Sequence, residues 1–404
     1  MVLNVKNRNI WDRYLIVLLT IQSVASLSYY AYVPLIPFLQ EELVLNNYEI
    51  GWLTSAVFLG SSIIAIPSGI IVDKIGVKKG IFIFCFIISF DLLLFIFSSS
   101  FTFVLILLFI MGIGYGGITP STNKGIIDKF SFYNRGTAMG IKQTGVPLGS
   151  TLGTLSLPFL ASRIGWQNTL LILSIIVMVI TFLNFIMYKE NSGGKKDQKL
   201  KLRENLKKIL QNKPLISLAA IIIFFIWTQL SVMTYLVVYI NESLEKSLHF
   251  SLFCLGTLQF GGVIGRAAWG YISDRFFNRN RGAVLALIGI LSGSFVITLG
   301  VINNNLSEAL LLILSFLLGF STQAWNGIFV LMMSEIVPKN QVGIASGFGL
   351  SVVYLGAIVG TPLSGWITDS TGHYGLMWLI VGIIIILTST ITYFMRFDNY
   401  LGKI

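Results

Sequence analysis

Apolar runs long enough to cross a lipid bilayer recur along almost the whole chain, and no water-soluble fold accommodates them. A hydrocarbon core roughly 30 Å thick needs about twenty consecutive apolar residues in helical form. Twelve stretches satisfy this: 14–38, 48–72, 79–98, 101–124, 136–160, 166–188, 214–241, 250–273, 281–302, 307–332, 341–368 and 375–396. Helices are the spanning form that fits, because no alternating barrel pattern is present and lipid offers the backbone no hydrogen-bond partner. Hydrophobic residues make up 55% of the chain and charged residues 11%, with a mean hydropathy of +0.81. The expectation is an all-α membrane protein. Cys85 and Cys254 both lie in apolar runs, so no disulfide framework is expected. The polar leader Met1–Arg13 and the long run after it do not read as a cleaved signal peptide.

Charge orients the spans. Lys6, Arg8 and Arg13, then Lys74, Lys78 and Lys79, then Lys129 and Arg135 make alternate loops basic. Arg275, Arg279 and Arg281 continue the series, and Arg396 and Lys403 close it. The opposite loops hold Glu41, Glu42, Glu49, Glu242, Glu245, Glu308 and Asp369 against Arg163 and Lys246. By the positive-inside rule both termini are expected in the cytoplasm of a cell-membrane protein. The net charge of +11 is then topology, and a nucleic-acid partner is not needed to explain it.

One long polar stretch divides the chain. Residues 189–213 carry nine Lys or Arg against three acids. The expected domains are therefore a bundle over 1–188, a basic cytoplasmic linker over 189–213 and a second bundle over 214–404. The segment LRENLKKIL within the linker has helical periodicity suited to the membrane surface. The halves also resemble each other. A shift of 207 aligns Gly112 with Gly319, Asp128 with Glu335, Gly136 with Gly343 and Ala138 with Ala345. It likewise aligns Gly140 with Gly347, Gly149 with Gly356 and Gly153 with Gly360. A shift of 201 places Gly69, Asp73 and Lys74 over Gly270, Asp274 and Arg275. Internal repeats around a central linker are a transporter signature. Twelve transmembrane helices in two pseudo-symmetric six-helix bundles are expected.

The run Gly69-x-x-x-Asp73-Lys74-x-Gly76-x-Lys78-Lys79 resembles the signature loop of the major facilitator superfamily, and Gly270-x-x-x-Asp274-Arg275 resembles its weaker copy. The resemblance covers essentially the whole chain. It implies that Asp73 meets the Val342–Gly343 helix end and Asp274 the Arg135–Gly136 end, where orphan N–H groups and the helix dipole favour a carboxylate. Asp73, Lys74, Lys78, Asp128, Arg135, Asp274 and Arg275 are thus gating candidates. Lys124 and Asp128, at i and i+4, read as a structural pair with the loop charges.

Two cations lie inside the spans. Lys142 comes seven residues after Arg135 and Arg266 eight before Asp274, which is roughly 10–12 Å into their helices at 1.5 Å per residue. A charge at mid-helix costs about 2.5–3.5 kcal/mol on insertion scales, so function is the default explanation. The resemblance makes these helices neighbours across the halves, and two cations at one depth without an adjacent acid suit an anion. Arg266, in GGVIGRAAWGYISDR, also resembles the helix-eight arginine of the oxalate/formate exchanger and monocarboxylate carrier branch. The eleventh span lacks that exchanger's lysine, so Lys142 would supply the second charge. The contrary reading has Lys142 snorkelling to the surface and Arg266 bracing a gate. Gly145-x-Pro147-x-Gly149 only partly matches the superfamily's antiporter motif, and a kinked packing seam explains it equally well.

The resemblance assigns the cavity to helices one, four, seven and ten. Lining candidates there are Gln22, Tyr29, Tyr32, Thr119 and Asn123 in the first half. Gln229, Tyr235, Trp325 and Asn326 are their counterparts in the second, with Gln143 beside Lys142. Asp91, mid-membrane in FIFCFIISFDLLLFIF, is a candidate proton-coupling group, although hydrogen bonding within a peripheral helix is the plainer reading. His249 and His373 are too isolated for a metal site, and no Walker loop or nucleophile elbow is present, so neither cofactor nor enzyme activity is expected. The expected protein is a monomeric secondary transporter of a small organic anion, a carboxylate, driven by protons or a counter-solute. Alternatives are an exporter of drugs or other amphipathic compounds, and a non-transporting receptor with the same fold.

Overall fold

The computed structural model of the chain describes residues 13–130, 132–189, 209–277, 280–337, 342–395 and 397, leaving aside the side chains of 66, 132–137, 334 and 342–347. The surface-helix expectation for LRENLKKIL, most of the 189–213 linker and the side chain of Arg135 lie outside the described residues. In chain order the helices are α1 (Arg13–Tyr29), α2 (Tyr32–Leu43), α3 (Asn47–Ile75), α4 (Val77–Leu94) and α5 (Phe101–Lys129). There follow α6 (Phe132–Gln143), α7 (Gly145–Ile164), α8 (Trp166–Met187), α9 (Lys213–Val238) and α10 (Leu248–Arg275). The last five are α11 (Arg281–Val301), α12 (Glu308–Thr322), α13 (Trp325–Ile336), α14 (Val342–Thr371) and α15 (Tyr374–Phe394). No strand occurs among the described residues.

Eleven segments of the described chain are long and apolar enough to cross a membrane. Their outer faces carry large exposed side chains such as Phe86, Phe90, Ile175, Ile186 and Phe253, which lipid must cover. The span expected over 136–160 is absent from the eleven. It carries Lys142, Gln143 and a run of glycines in place of long apolar residues. It is also interrupted at Thr144, between α6 and α7, as Arg13–Leu43 and Glu308–Met333 are interrupted while remaining apolar enough to span. Pro147 accounts for the interruption, since it cannot donate to the carbonyl four residues earlier. Pro34 acts alike between α1 and α2, where Val33 N bonds Tyr30 O at 3.1 Å instead.

Close packing follows the repeat. A Cβ on Gly112 of α5 would collide with the carbonyl of Val57 on α3, and one on Gly319 of α12 with the carbonyl of Leu258 on α10. Val57 and Leu258 differ by the same 201 that relates the two signature loops. Gly149 meets α1 at Ser23 O, and Gly356 meets α9 at Ile223 O. Small residues admit such contacts, and dispersion and weak polar contacts gain from them where no hydrophobic effect operates.

The two parts of the chain meet along α3 with α14 and α7 with α10. At the Asn47 end this meeting is sealed. Asn46 caps α3, with Glu49 completing a capping box, and the first turn then receives a carboxylate from α14. Tyr48 N donates to Asp369 Oδ2 at 2.8 Å, while Asn47 N and Nδ2 donate to Oδ1 at 3.2 and 2.8 Å. Tyr235 Oη donates to Asn47 O at 2.9 Å, and Tyr374 Oη to Asn47 Oδ1 at 2.6 Å. Hydrogen bonds to a charged group are worth about 1.5–3 kcal/mol. Asp369→Ala should therefore shift the protein toward a form open at this end by tenfold or more. A cysteine placed at Thr54 should then react faster with an impermeant maleimide, the native Cys85 and Cys254 being buried. Unchanged labelling would show that Asp369 does not hold the seal.

At the opposite end each signature aspartate is neutralised by a basic side chain of its own half. Asp73 pairs with Lys124 at 2.5 Å, and Asp274 with Arg281 at 2.8 Å. Arg281 also lies 3.8 Å from Glu335. Lys78 sits over the Phe185 ring at 4.2 Å, while Lys74, Arg275 and Asp128 are exposed. The helix ends expected opposite the aspartates, 135–136 and 342–343, have side chains outside the described set.

Candidate functional site

Two cations, Lys142 buried and Arg266 half-buried, are each held by neutral groups in the spanning region. Lys142, two residues before the α6–α7 break, is fully buried. Its Nζ donates to Asn123 Oδ1 at 2.8 Å, Thr122 Oγ1 at 3.3 Å and Gln22 Oε1 at 3.4 Å. The Thr122 hydroxyl donates to the same Gln22 oxygen at 3.1 Å. The Lys142 nest thus draws on α1, α5 and α6. Gln143, next in sequence, is exposed, so the two side chains leave α6 in different directions.

Arg266 is half-buried on α10. Its Nε donates to the Gln323 carbonyl at 3.3 Å and its Nη2 to Gln323 Oε1 at 3.4 Å. That carbonyl sits at the break between α12 and α13, where the helical ladder no longer uses it. Irregular backbone at membrane depth is tolerated where protein or a cavity surrounds it, and here a guanidinium meets it. Gln323 Nε2 in turn donates to Gln259 Oε1 at 2.7 Å. Among the described residues neither Lys142 nor Arg266 has a carboxylate within ion-pair distance.

An aromatic cluster accompanies Arg266. Tyr30 and Tyr115 lie within electrostatic reach of its guanidinium. Tyr115 stacks on Tyr29 with centroids 4.0 Å apart, and Tyr30 meets Tyr29 edge-on at 4.8 Å. Tyr29 also meets Phe58 at 5.6 Å, and Phe58 meets Tyr354 of α14 at 5.3 Å, which carries the cluster across the two parts of the chain. Tyr115 Oη lies 3.2 Å from Ser26 Oγ. Such rings offer flat apolar faces and hydroxyls at the same place.

The remaining candidates divide. Gln229 receives Trp325 Nε1 at 2.9 Å and Asn326 Nδ2 at 3.4 Å on its Oε1, forming a third polar group beside the α12–α13 break. Tyr32 Oη donates to Thr54 Oγ1 at 3.1 Å, and Tyr235 belongs to the seal at Asn47, so the structure brings neither to Lys142. Asp91 is buried on α4, which packs on α5 and α8, and neither carboxyl oxygen has a partner among the described residues. Tyr30, Tyr115, Tyr354, Gln259 and Gln323 escaped sequence reasoning. Tyr115 had a signal, because it lies one turn from Thr119; Gln323 had its closeness to Trp325 and Asn326.

Lys142 and Arg266, without a paired acid among the described residues and inside a helical membrane protein with repeated halves, suit a solute-handling membrane protein, and comparison with known proteins agrees. The family model described as Major Facilitator Superfamily matches residues 18–348, and the chain belongs to that superfamily. It is 22% identical to the hexuronate transporter of Bacillus subtilis (strain 168) over 364 residues, covering 86% of this chain and 85% of that protein. The gentisate transporter of Corynebacterium glutamicum is 25% identical over 339 residues, covering 81% and 74%. A bacterial homolog of the human lysosomal transporter Spinster, solved inward-facing and unoccupied, superposes with a TM-score of 0.74 over 96% of this chain and 97% of that one, at 16% identity. The chain is a multi-pass membrane transporter and not an enzyme.

Proposed function

We propose that this chain is a secondary active transporter of a small organic anion, a carboxylate with a flat or ring-shaped body. The observation that carries this is Arg266: a guanidinium held by a carbonyl and an amide, within electrostatic reach of Tyr30 and Tyr115, with no acid within ion-pair distance among the described residues. A bidentate arginine is well matched to a carboxylate, and the rings to an apolar body. The relatives that carry hexuronate and gentisate in their names, a sugar acid and an aromatic acid, fit this chemistry. The proposed architecture is twelve helices in two six-helix bundles, 1–188 and 214–404, joined by the 189–213 linker with both termini cytoplasmic. The bundles rock about the site, and the protein acts as a monomer in the cell membrane. Asp73 and Asp274 belong to the gates, and Asp91 is the candidate site for a coupling proton.

A second reading has observations of its own. The cluster is strongly aromatic and Lys142 is closed off from solvent, which favours an exporter of amphipathic compounds. Flux into proteoliposomes separates the readings. Radiolabelled glucuronate or gentisate should enter, driven by an inward proton gradient, and unlabelled carboxylates but not neutral sugars should compete. Movement of a cationic dye in place of the acids would favour the exporter, and no movement of any solute the receptor. Loss of gradient-driven accumulation in Asp91→Asn, with exchange retained, would support coupling there.

A further inference from the structure

Gln22 is completely buried, yet its Nε2 has no hydrogen-bond partner among the described residues. A buried amide donor left unpaired is costly, and native structures rarely keep one without a reason. Its other end is engaged: Oε1 accepts from the Lys142 ammonium and lies 3.1 Å from the Thr122 hydroxyl, which it shares with the Ile118 carbonyl. This fixes which way round the amide stands. An ammonium has donors only, so a flipped amide would turn its N–H groups toward three more N–H groups. The charge on Lys142 therefore holds the Gln22 N–H2 away from itself. Tyr115 lies near that amide, though outside hydrogen-bonding geometry, and Tyr115 is one of the two rings within electrostatic reach of Arg266.

We infer that Gln22 is a substrate-contacting residue whose N–H2 receives a carboxylate or hydroxyl oxygen of the organic anion, and that Lys142 is a positioning residue that acts through it. This rests on the anion reading above and deepens it. The substrate then spans from Arg266 to Gln22, and reaches the amide by displacing Tyr115 from Ser26, whose hydroxyls stand 3.2 Å apart. Lys142 needs no contact with the substrate. Its burial among Gln22, Thr122 and Asn123, unexpected for a direct ligand, is what a residue that orients a neighbour requires.

The test is a set of dissociation constants for glucuronate and gentisate, measured by calorimetry on monodisperse protein in nanodiscs. Gln22→Leu, or Gln22→Met should the first not fold, should weaken whichever acid binds the wild type by at least tenfold. Lys142→Met should weaken it similarly, and the double variant should be no worse than either single, because both changes remove one donor pair. Gln22→Glu should abolish binding, since its carboxylate would pair with Lys142 and face the anion. Wild-type affinity in both Gln22→Leu and Gln22→Met would overturn the inference and point to a trapped water as the missing partner. Additive losses in the double variant would also overturn it, placing Lys142 on the substrate itself. If neither acid binds the wild type, the anion reading falls and this inference with it.

Discussion

Arg266→Ala should weaken carboxylate binding roughly ten- to a hundredfold, and transport should fall with it. A hydrogen bond to a charged group contributes about 1.5–3 kcal/mol, which converts to that range of affinity. The same side chain also fastens α10 to the carbonyl of Gln323 at the α12–α13 break. Arg266→Lys separates the two duties. It keeps the positive charge but loses the planar fork, so it should restore part of the affinity while leaving the Gln323 carbonyl poorly served. Arg266→Gln, neutral but able to donate, should keep the helix contact better than it keeps the anion. Binding is read from dissociation constants and the helix contact from the thermal midpoint without ligand. Arginine would be a brace and not a ligand if all three variants bound the acids normally while losing stability.

The membrane character was legible in the sequence because length and hydropathy report directly on a bilayer. The glycine register was legible too, and its meaning is physical: Gly112 and Gly319 sit where one helix backbone touches another. Lys142 and Arg266 stood out because a charge in an apolar run has few explanations. Their partners did not, since Gln22, Asn123 and Gln323 come together only through tertiary packing. Depth counted along a helix also cannot tell Tyr29 from Tyr235. Both are buried tyrosines on spanning helices, yet one stacks in the aromatic cluster and the other closes the Asn47 end. The break at Thr144 follows from Pro147, whereas the break at Gln323–Ala324 has no proline to announce it. It is there that the second-half polar groups gather.

The glycine register leads to the other large effect. Gly112→Ala and Gly319→Ala should each lower the thermal midpoint, while Gly140→Ala should leave it unchanged or raise it. An alanine in a helix gains about 1 kcal/mol over glycine from propensity alone. At Gly140 nothing lies within 4 Å of the added carbon, so that gain stands unopposed. At Gly112 the carbon would overlap Val57 O and sit 2.9 Å from Ser61 N; at Gly319 it would overlap Leu258 O and sit 3.0 Å from Gly262 N. These are backbone atoms of packed helices, which cannot swing aside as a side chain can. Overpacking of this kind costs typically 1–3 kcal/mol, and rigid neighbours put both sites at the upper end, above the propensity gain. The sign therefore reverses between otherwise identical substitutions. Because the two contacts occupy equivalent places in the halves, their losses should be similar. Each would separate an α3–α5 or α10–α12 pair and so disturb Phe58 or Arg266 as well. Midpoints measured for the purified variants decide it: a neutral Gly112→Ala would mean that α3 and α5 do not approach as closely as their carbonyl contact requires.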